Sequence, residues 1–494
     1  MGVSSMRSLL SRWTAILLTV LLVPVTDWAT CGGGGGGGTG GMRGPGAGGT
    51  MADEVYQVPW KLVKPEDLPT PGGLIVYWFP SSGEEFQKSS LRYSRSLSLY
   101  ATQCVTMGVA DAGTGLGRRF LHDEKLPVVV LAQTDGKVLS KLENEKGFLK
   151  VDRVEKLVET EVKQREESVK QRMKDAKEKA KSGDKEGAIP LYRSVLDEKC
   201  LFPGKAKDAS KELKKLGVND LAEIFDAPVF DPAKSARIET VMKRGLQAEM
   251  NEKYEEAERW YSEARRLDPA DPAPLRYLGE LYRHHLGDWD KARAVFREIL
   301  GRPADPLSRA VALHGLGKMT IHEGEFDKGL QLMEASVGEY PLALAYRNLA
   351  VYWNSEGDSS KAGDYTEQAL RLDPSDPFNL VFAAAFFAGN GRGDEALKIA
   401  RENEALMPAS YNLAAIYAQV GQKQKALDLL KRHFFTYERY ASVRTKEMME
   451  ARVDTVFASL REDAAFLALT SGADGKLPIP QEQKMPAVPS GTTR

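Results

Sequence analysis

At 494 residues, with 42% hydrophobic and 28% charged residues and a formal net charge of -1, the chain is long enough for more than one core. Its balanced charge offers no basic face, which argues against nucleic acid as a partner. Three widely spaced cysteines, Cys31, Cys104 and Cys200, suit neither a disulfide framework nor a four-ligand zinc site, so packing is expected to carry the stability.

The first element is an address. Arg7 and Arg12 precede the apolar run Ala15 to Val25, which is too short to cross a bilayer as a helix and reads, over residues 1–30, as an export signal peptide. A buried helix is the alternative, but the glycine tract that follows would not hold one rigidly. Trp28-Ala29-Thr30-Cys31 leads into Gly32 to Gly38, within a Gly-rich tether over residues 31–50. This arrangement resembles the lipid-attachment signal of bacterial lipoproteins, which implies that Cys31 becomes an acylated N-terminus. It departs from that signal at Trp28, where an aliphatic residue is usual, and at Thr30, where Gly or Ala is commoner. Ordinary cleavage nearby, with Cys31 lost or a bystander, is the competing reading. The location implied is the periplasm or the outer membrane of a bacterium, with a membrane contact through Cys31.

Residues 51–161 change to an α/β pattern. Leu74 to Phe79 is a continuous apolar run between Gly73 and Pro80, as a buried parallel strand requires. A helix is expected over Glu84 to Tyr100, then a strand over Cys104 to Val109. A short helical piece near Phe120 and a strand over Leu126 to Leu131 follow. Asp135-Gly136 predicts a hairpin turn into Val138-Leu139, and Val151 to Glu161 a closing helix. With Tyr77-Trp78-Phe79-Pro80, Leu126-Pro127-Val128 and Asp135-Gly136-Lys137 at its landmarks, this order resembles the thioredoxin-like family. That resemblance implies a cis proline at Pro127 and two redox cysteines where this chain has Ser82 and Glu85. Thiol chemistry needs an attacking thiolate and a resolving thiol, so no thiol oxidoreductase activity is expected, and Cys104 reads as packing. A peroxiredoxin reading fails likewise, because Glu84 and Gln87 occupy the threonine and cysteine positions. Ser82 is expected to cap a helix whose first turn carries Glu84 and Glu85. Gly113 to Gly117 lacks the dinucleotide spacing and reads as a connection.

Residues 162–235 form a charged helical bridge with degenerate repeat-like hairpins. Gly183-Asp184 turns one of them, between Ala180 and Leu196; Leu213, Gly217 and Ala222 suggest a second. A repeat of about thirty-four residues then runs over 236–436. Gly245, Ala257, Tyr261, Ala264 and Pro269 recur in kind as Gly279, Ala292, Phe296 and Ile299; as Gly317, Gly329, Met333, Ser336 and Pro341; as Ala350, Ala362, Thr366, Ala369 and Pro374; as Ala384, Ala396, Ala400 and Pro408; and as Ala414, Ala426 and Leu430. Small residues let paired helices approach, Gly324, Gly357, Gly391 and Gly421 supply turns, and the prolines stop the second helices. These landmarks, with Leu267-Asp268-Pro269 and Leu372-Asp373-Pro374, resemble the tetratricopeptide repeat family. Residues 437–470 read as capping helices over the open end and 471–494 as a disordered tail.

The chain therefore reads as multidomain: an α/β thioredoxin-like domain followed by an all-α tetratricopeptide-type superhelical solenoid. Such a stack has a concave face built from the first helix of each unit, and the resemblance implies a bound peptide or partner helix there. Arg276, Tyr277, His314, Arg347, Asn348, Tyr411 and Asn412 are the partner-binding candidates, against simple solvation. His284-His285 has no cysteine or acidic cluster beside it, so no metal is expected. No cofactor and no catalytic residue is assigned. The function expected is a tethered protein–protein interaction scaffold; an envelope-complex assembly factor and an enzyme with non-cysteine chemistry are the alternatives.

Overall fold

The computed structural model describes residues 55–63, 73–144, 146–221, 235–407, 410–438 and 441–475. Residues 1–54, where the export signal, Cys31 and the glycine tether are expected, together with Ala222, Pro408 and the chain from residue 476 onward, lie outside them.

The α/β domain runs β1 (Lys61–Leu62), β2 (Leu74–Phe79), α1 (Gly83–Lys88), α2 (Arg95–Ala101), β3 (Val105–Val109), α3 (Gly115–Phe120), β4 (Val128–Gln133) and β5 (Val138–Glu143). Its sheet has the order β1-β3-β2-β4-β5, with β1, β3 and β2 parallel and β4 and β5 antiparallel. Central β2 is buried along its whole length, which accounts for its unbroken apolar sequence. Trp60, Trp78, Phe86 and Leu97 pack on one side of the sheet, Tyr77, Phe79 and Phe120 on the other. The Leu126–Pro127 peptide is cis and Gly136 turns the β4–β5 hairpin with φ 85°. The helix expected over Glu84 to Tyr100 is broken. Ser89 and Ser94 each accept a backbone N–H two or three residues on, from Leu91 and Leu97, and so start new helical turns rather than continue the old one. Ser82 caps α1 as expected, accepting from Glu85 N at 3.1 Å.

The closing helix does not stop at Glu161. It continues as α4 (Val151–Lys181), so the expected division at residue 161 falls inside one rigid element. Asp184, after Gly183 with φ 86°, caps α5 (Lys185–Leu196), and α6 (Pro203–Lys215) completes a small helical cluster around Ala188, Tyr192 and Leu213. Cys200, just before α6, is disulfide-bonded to Cys104, 96 residues earlier, with Cα atoms 5.8 Å apart. This corrects the packing-only expectation: spacing along the chain carries no information about the fold that brings the two together.

Six helical hairpins follow: α7 (Ser235–Met250) with α8 (Tyr254–Leu267), α9 (Ala273–Glu280) with α10 (Trp289–Leu300), α11 (Pro306–His322) with α12 (Phe326–Glu339), α13 (Ala343–Ser355) with α14 (Ser359–Leu372), α15 (Pro377–Gly389) with α16 (Gly393–Asn403), and α17 (Tyr411–Gln419) with α18 (Lys423–Arg432). Gly324, Gly357, Gly391 and Gly421 hold φ between 80° and 93° in the turns, a conformation that favours glycine. Gly245 lies against the Tyr261 ring and Gly279 against Phe296, with no room for a β-carbon. Then come α19 (Ala441–Val453), a 3-10 segment Thr455–Leu460, α20 (Ala464–Leu469) and a final turn Ser471–Ala473. Ala473 is buried, so the first residues of the expected tail belong to the fold. Among the described residues no helix is long and apolar enough to cross a membrane.

Candidate partner-binding face

The first helices of the hairpins are not amphipathic in the usual way. In α9 every residue is buried, and in α17 all but the last, so these helices are covered on both sides. One side meets the second helices. The other meets parts of the same chain.

At the N-terminal end the cover is the α/β domain. Arg95, at the start of α2, is withdrawn from solvent and reaches Asp268 at 2.5 Å and Asp271 at 3.1 Å in the loop between the first two hairpins. Arg95 also donates to Ser235 Oγ at 3.0 Å, and Tyr56 Oη donates to Asp271 at 2.6 Å. Burial raises the Asp271 carboxyl from its ordinary value, opposed by the Arg95 charge and the Tyr56 hydrogen bond. Tyr277 Oη donates to the Val55 carbonyl at 3.0 Å. Val55 and Tyr56 thereby join the hydrophobic core of the first hairpins.

Toward the C-terminal end the cover is α19 and the 3-10 segment after it. Lys446 sits 3.4 Å above the Trp289 ring at the second hairpin. Glu450 lies 3.6 Å from His322 at the end of α11, and Thr455 lies 3.4 Å from Ser355 at the end of α13. Tyr411 Oη, at the start of α17, donates to Asp454 at 3.3 Å. His433, following α18, pairs with Glu447 at 2.8 Å. Burial opposes ionisation of Glu450, but Lys318, His322 and Arg283 outweigh it and hold its carboxyl below the usual range. Asp454 is pushed up to about 6, mainly by burial. Residues 437–470 are thus only in part a lid: α20 packs beside α18, with Asp463 paired to Lys423, whereas α19 reaches back to the second hairpin.

All seven partner-binding candidates are buried, between 0% exposed at His314 and 9% at Asn412, which corrects the expectation of an open face. His314 is joined to Asn348 at 2.7 Å and is kept neutral by burial. Arg347 donates to Asn379 at 2.8 Å, with Asp376 3.7 Å away. Arg276 stacks on Tyr277, and Tyr411 packs edge-on against Phe457 of the 3-10 segment. The structure gathers His314, Asn348 and Arg347 into one stretch of the face. It leaves Arg276 and Tyr277 under the α/β domain, and Tyr411 at the far end. Sequence reasoning missed Arg95, Asp271, Trp289, His322, His433 and the acids of α19. Among the described residues no group of His, Cys, Asp and Glu is disposed to hold a metal ion.

Residues 242–308 match the tetratricopeptide repeat family model. The chain is 24% identical over 229 residues to the protein CTR9 homolog of Arabidopsis thaliana, a match covering 36% of this chain and 21% of that protein's length. It is 26% identical over 123 residues to the photosystem I assembly protein Ycf3 of Rippkaea orientalis, covering 22% of this chain and 69% of that one. A solved tetratricopeptide protein of Thermus thermophilus is 20% identical, covering 37% of this chain and 99% of its own, with a TM-score of 0.31.

Proposed function

We propose that this protein is an exported, membrane-tethered scaffold that holds protein partners on its tetratricopeptide array. One observation carries the reading: the inner face of the array already holds α19 and the residue that follows it, through Glu447–His433, Glu450–His322 and Asp454–Tyr411. The Cys104–Cys200 disulfide supports export, because such bonds persist in oxidising compartments. It also leaves Cys31 as the odd cysteine, at the position the lipid-attachment resemblance assigns to acylation. The sheet order supports a thioredoxin-like domain, and the capping role of Ser82 supports reading it as a redox-inactive support rather than an oxidoreductase. The Rippkaea orientalis relative is named a photosystem I assembly protein, which favours assembly of an envelope complex as the form the scaffolding takes.

The test is crosslinking in cells from a photoreactive residue at Lys318 in the full chain. Adducts with one or a few envelope proteins are expected; crosslinks confined to the chain itself would sink the reading. Labelling with a radioactive fatty acid, compared between wild type and Cys31→Ala, tests the tether separately.

A further inference from the structure

The overall charge balance of the chain conceals a local excess. Residues 170–215 hold fourteen Lys and Arg against eight Asp and Glu, where the whole chain holds 68 against 69. Part of that excess is ordered on α4. The first half of α4 packs on the sheet through Val154 and Val158, its second half against α5 and α6 through Val169 and Ala176. Lys170, Lys174, Lys177 and Lys181 follow one another at steps of four, three and four residues, which keeps them within about 60° of one another around the helix axis. All four are exposed, as is Lys185 just across the Gly183 turn. Lys170 pairs with Glu166 at 3.0 Å and Glu167 at 2.8 Å, whereas Lys174, Lys177, Lys181 and Lys185 have no acidic partner among the described residues. The acids of the same stretch, Asp175 and Glu178, fall about 70–130° from the centre of the stripe, Asp175 engaged by Gln171 at 2.7 Å. Glu186 follows Lys185 on α5.

Lysines three and four residues apart repel one another and weaken the helix that carries them. Of the four, only Lys181 lies in the last turn, where the helix dipole favours a cation, so helix stability does not account for the stripe. Among the described residues no large hydrophobic side chain of α4, α5 or α6 is exposed, which leaves a shape-specific protein contact little to grip; a diffuse anionic surface needs only the charge.

We propose that the lysine stripe of α4 lies against the anionic headgroups of a phospholipid membrane. One acyl chain holds a protein at a bilayer only marginally, and an acyl chain joined by a basic patch holds it stably; each lysine brought to an anionic surface tightens binding roughly fivefold. Residues 31–54 separate Cys31 from the folded chain and can span up to about 80 Å, which puts the stripe within reach of a bilayer that holds Cys31. The inference rests on the scaffold reading for that anchor and adds the surface the anchored protein turns to the membrane.

The test uses the full chain carrying Cys31→Ser, which removes the acyl anchor, with vesicles of phosphatidylcholine alone or mixed with phosphatidylglycerol. Sedimentation with the mixed vesicles is expected at low salt, with none on phosphatidylcholine and release at high salt. Lys174→Gln, Lys177→Gln and Lys181→Gln together are expected to weaken binding at least about tenfold. Lys211→Gln, Lys214→Gln and Lys215→Gln, on α6, remove the same charge from another helix and are expected to weaken it less than about threefold. Circular dichroism equal to wild type shows that each variant is folded. Equal losses in the two variants, equal binding to both kinds of vesicle, or no binding to the mixed vesicles overturns the proposal, as does capture of soluble polyglutamate in place of vesicles. Should Cys31 take up labelled fatty acid while the vesicles stay unbound, the tether stands and this inference falls; vesicle binding without the label reverses that outcome.

Discussion

Arg95 Nη2 lies 2.5 Å from Asp268 Oδ2, both side chains nearly excluded from solvent and 173 residues apart in sequence. The pair, completed by Asp271, fastens the α/β domain to the first hairpins. Truncating one partner of a buried pair leaves the other charge uncompensated, which costs about 3–5 kcal/mol. Arg95→Ala is therefore expected to lower the urea midpoint sharply. A midpoint within error of wild type would remove the pair from the account.

Two glycines in helices predict opposite signs. Gly279→Ala drives a β-carbon into the Phe296 ring; overpacking costs about 1–3 kcal/mol and outweighs the roughly 1 kcal/mol that alanine gains in helix propensity. Gly338, in α12, has nothing within 4 Å of the added atom. Gly338→Ala is expected to raise the melting temperature by the propensity gain alone, while Gly279→Ala lowers it.

The Cys104–Cys200 bond joins residues 96 apart, and constraining a loop of that size in the unfolded chain stabilises by up to about 5 kcal/mol. Reductant should lower the melting temperature of wild type. Cys104→Ser should already be lowered and respond no further. If wild type melts identically with and without reductant, the bond contributes nothing.

Asp454 yields a pH dependence of definite sign. Its pKa is raised from 3.8 to about 6 in the fold, chiefly by burial, so the folded chain prefers the protonated acid. The stability this group contributes is complete below pH 3.8 and is lost as pH rises through 6, amounting to at most about 3 kcal/mol. Asp454→Asn cannot ionise. The stability of that variant relative to wild type is expected to increase from about pH 4 to about pH 7, read from urea midpoints at the two pH values; a constant difference would refute it.

The helical hairpins were legible because their determinants are short-ranged. Gly279 answers Phe296 within one hairpin, and Gly357 and Gly391 turn the chain between neighbouring helices. The cap at Ser82 and the turn at Gly136 are local in the same way. The breaks at Ser89 and Ser94 escaped a reading by apolar spacing, because a serine that caps and a serine that faces solvent look alike in sequence. The candidate site was legible as a set of positions on first helices, but not in its exposure. Arg347 and Tyr411 have the composition of a binding face, and nothing near them in the chain says that Asn379 or Asp454 will meet them.

What the sequence by itself determined is therefore the repeat, its turns, the strand pattern of the first domain and the absence of thiols at Ser82 and Glu85, since each depends on neighbours within about one period. Tertiary structure alone decided that Cys104 meets Cys200, that Arg95 locks onto Asp268, and that α19 lies along the array instead of capping it. These contacts join residues far apart in sequence, and they depend on how the accumulated hairpin stack presents its inner face, which no local pattern encodes.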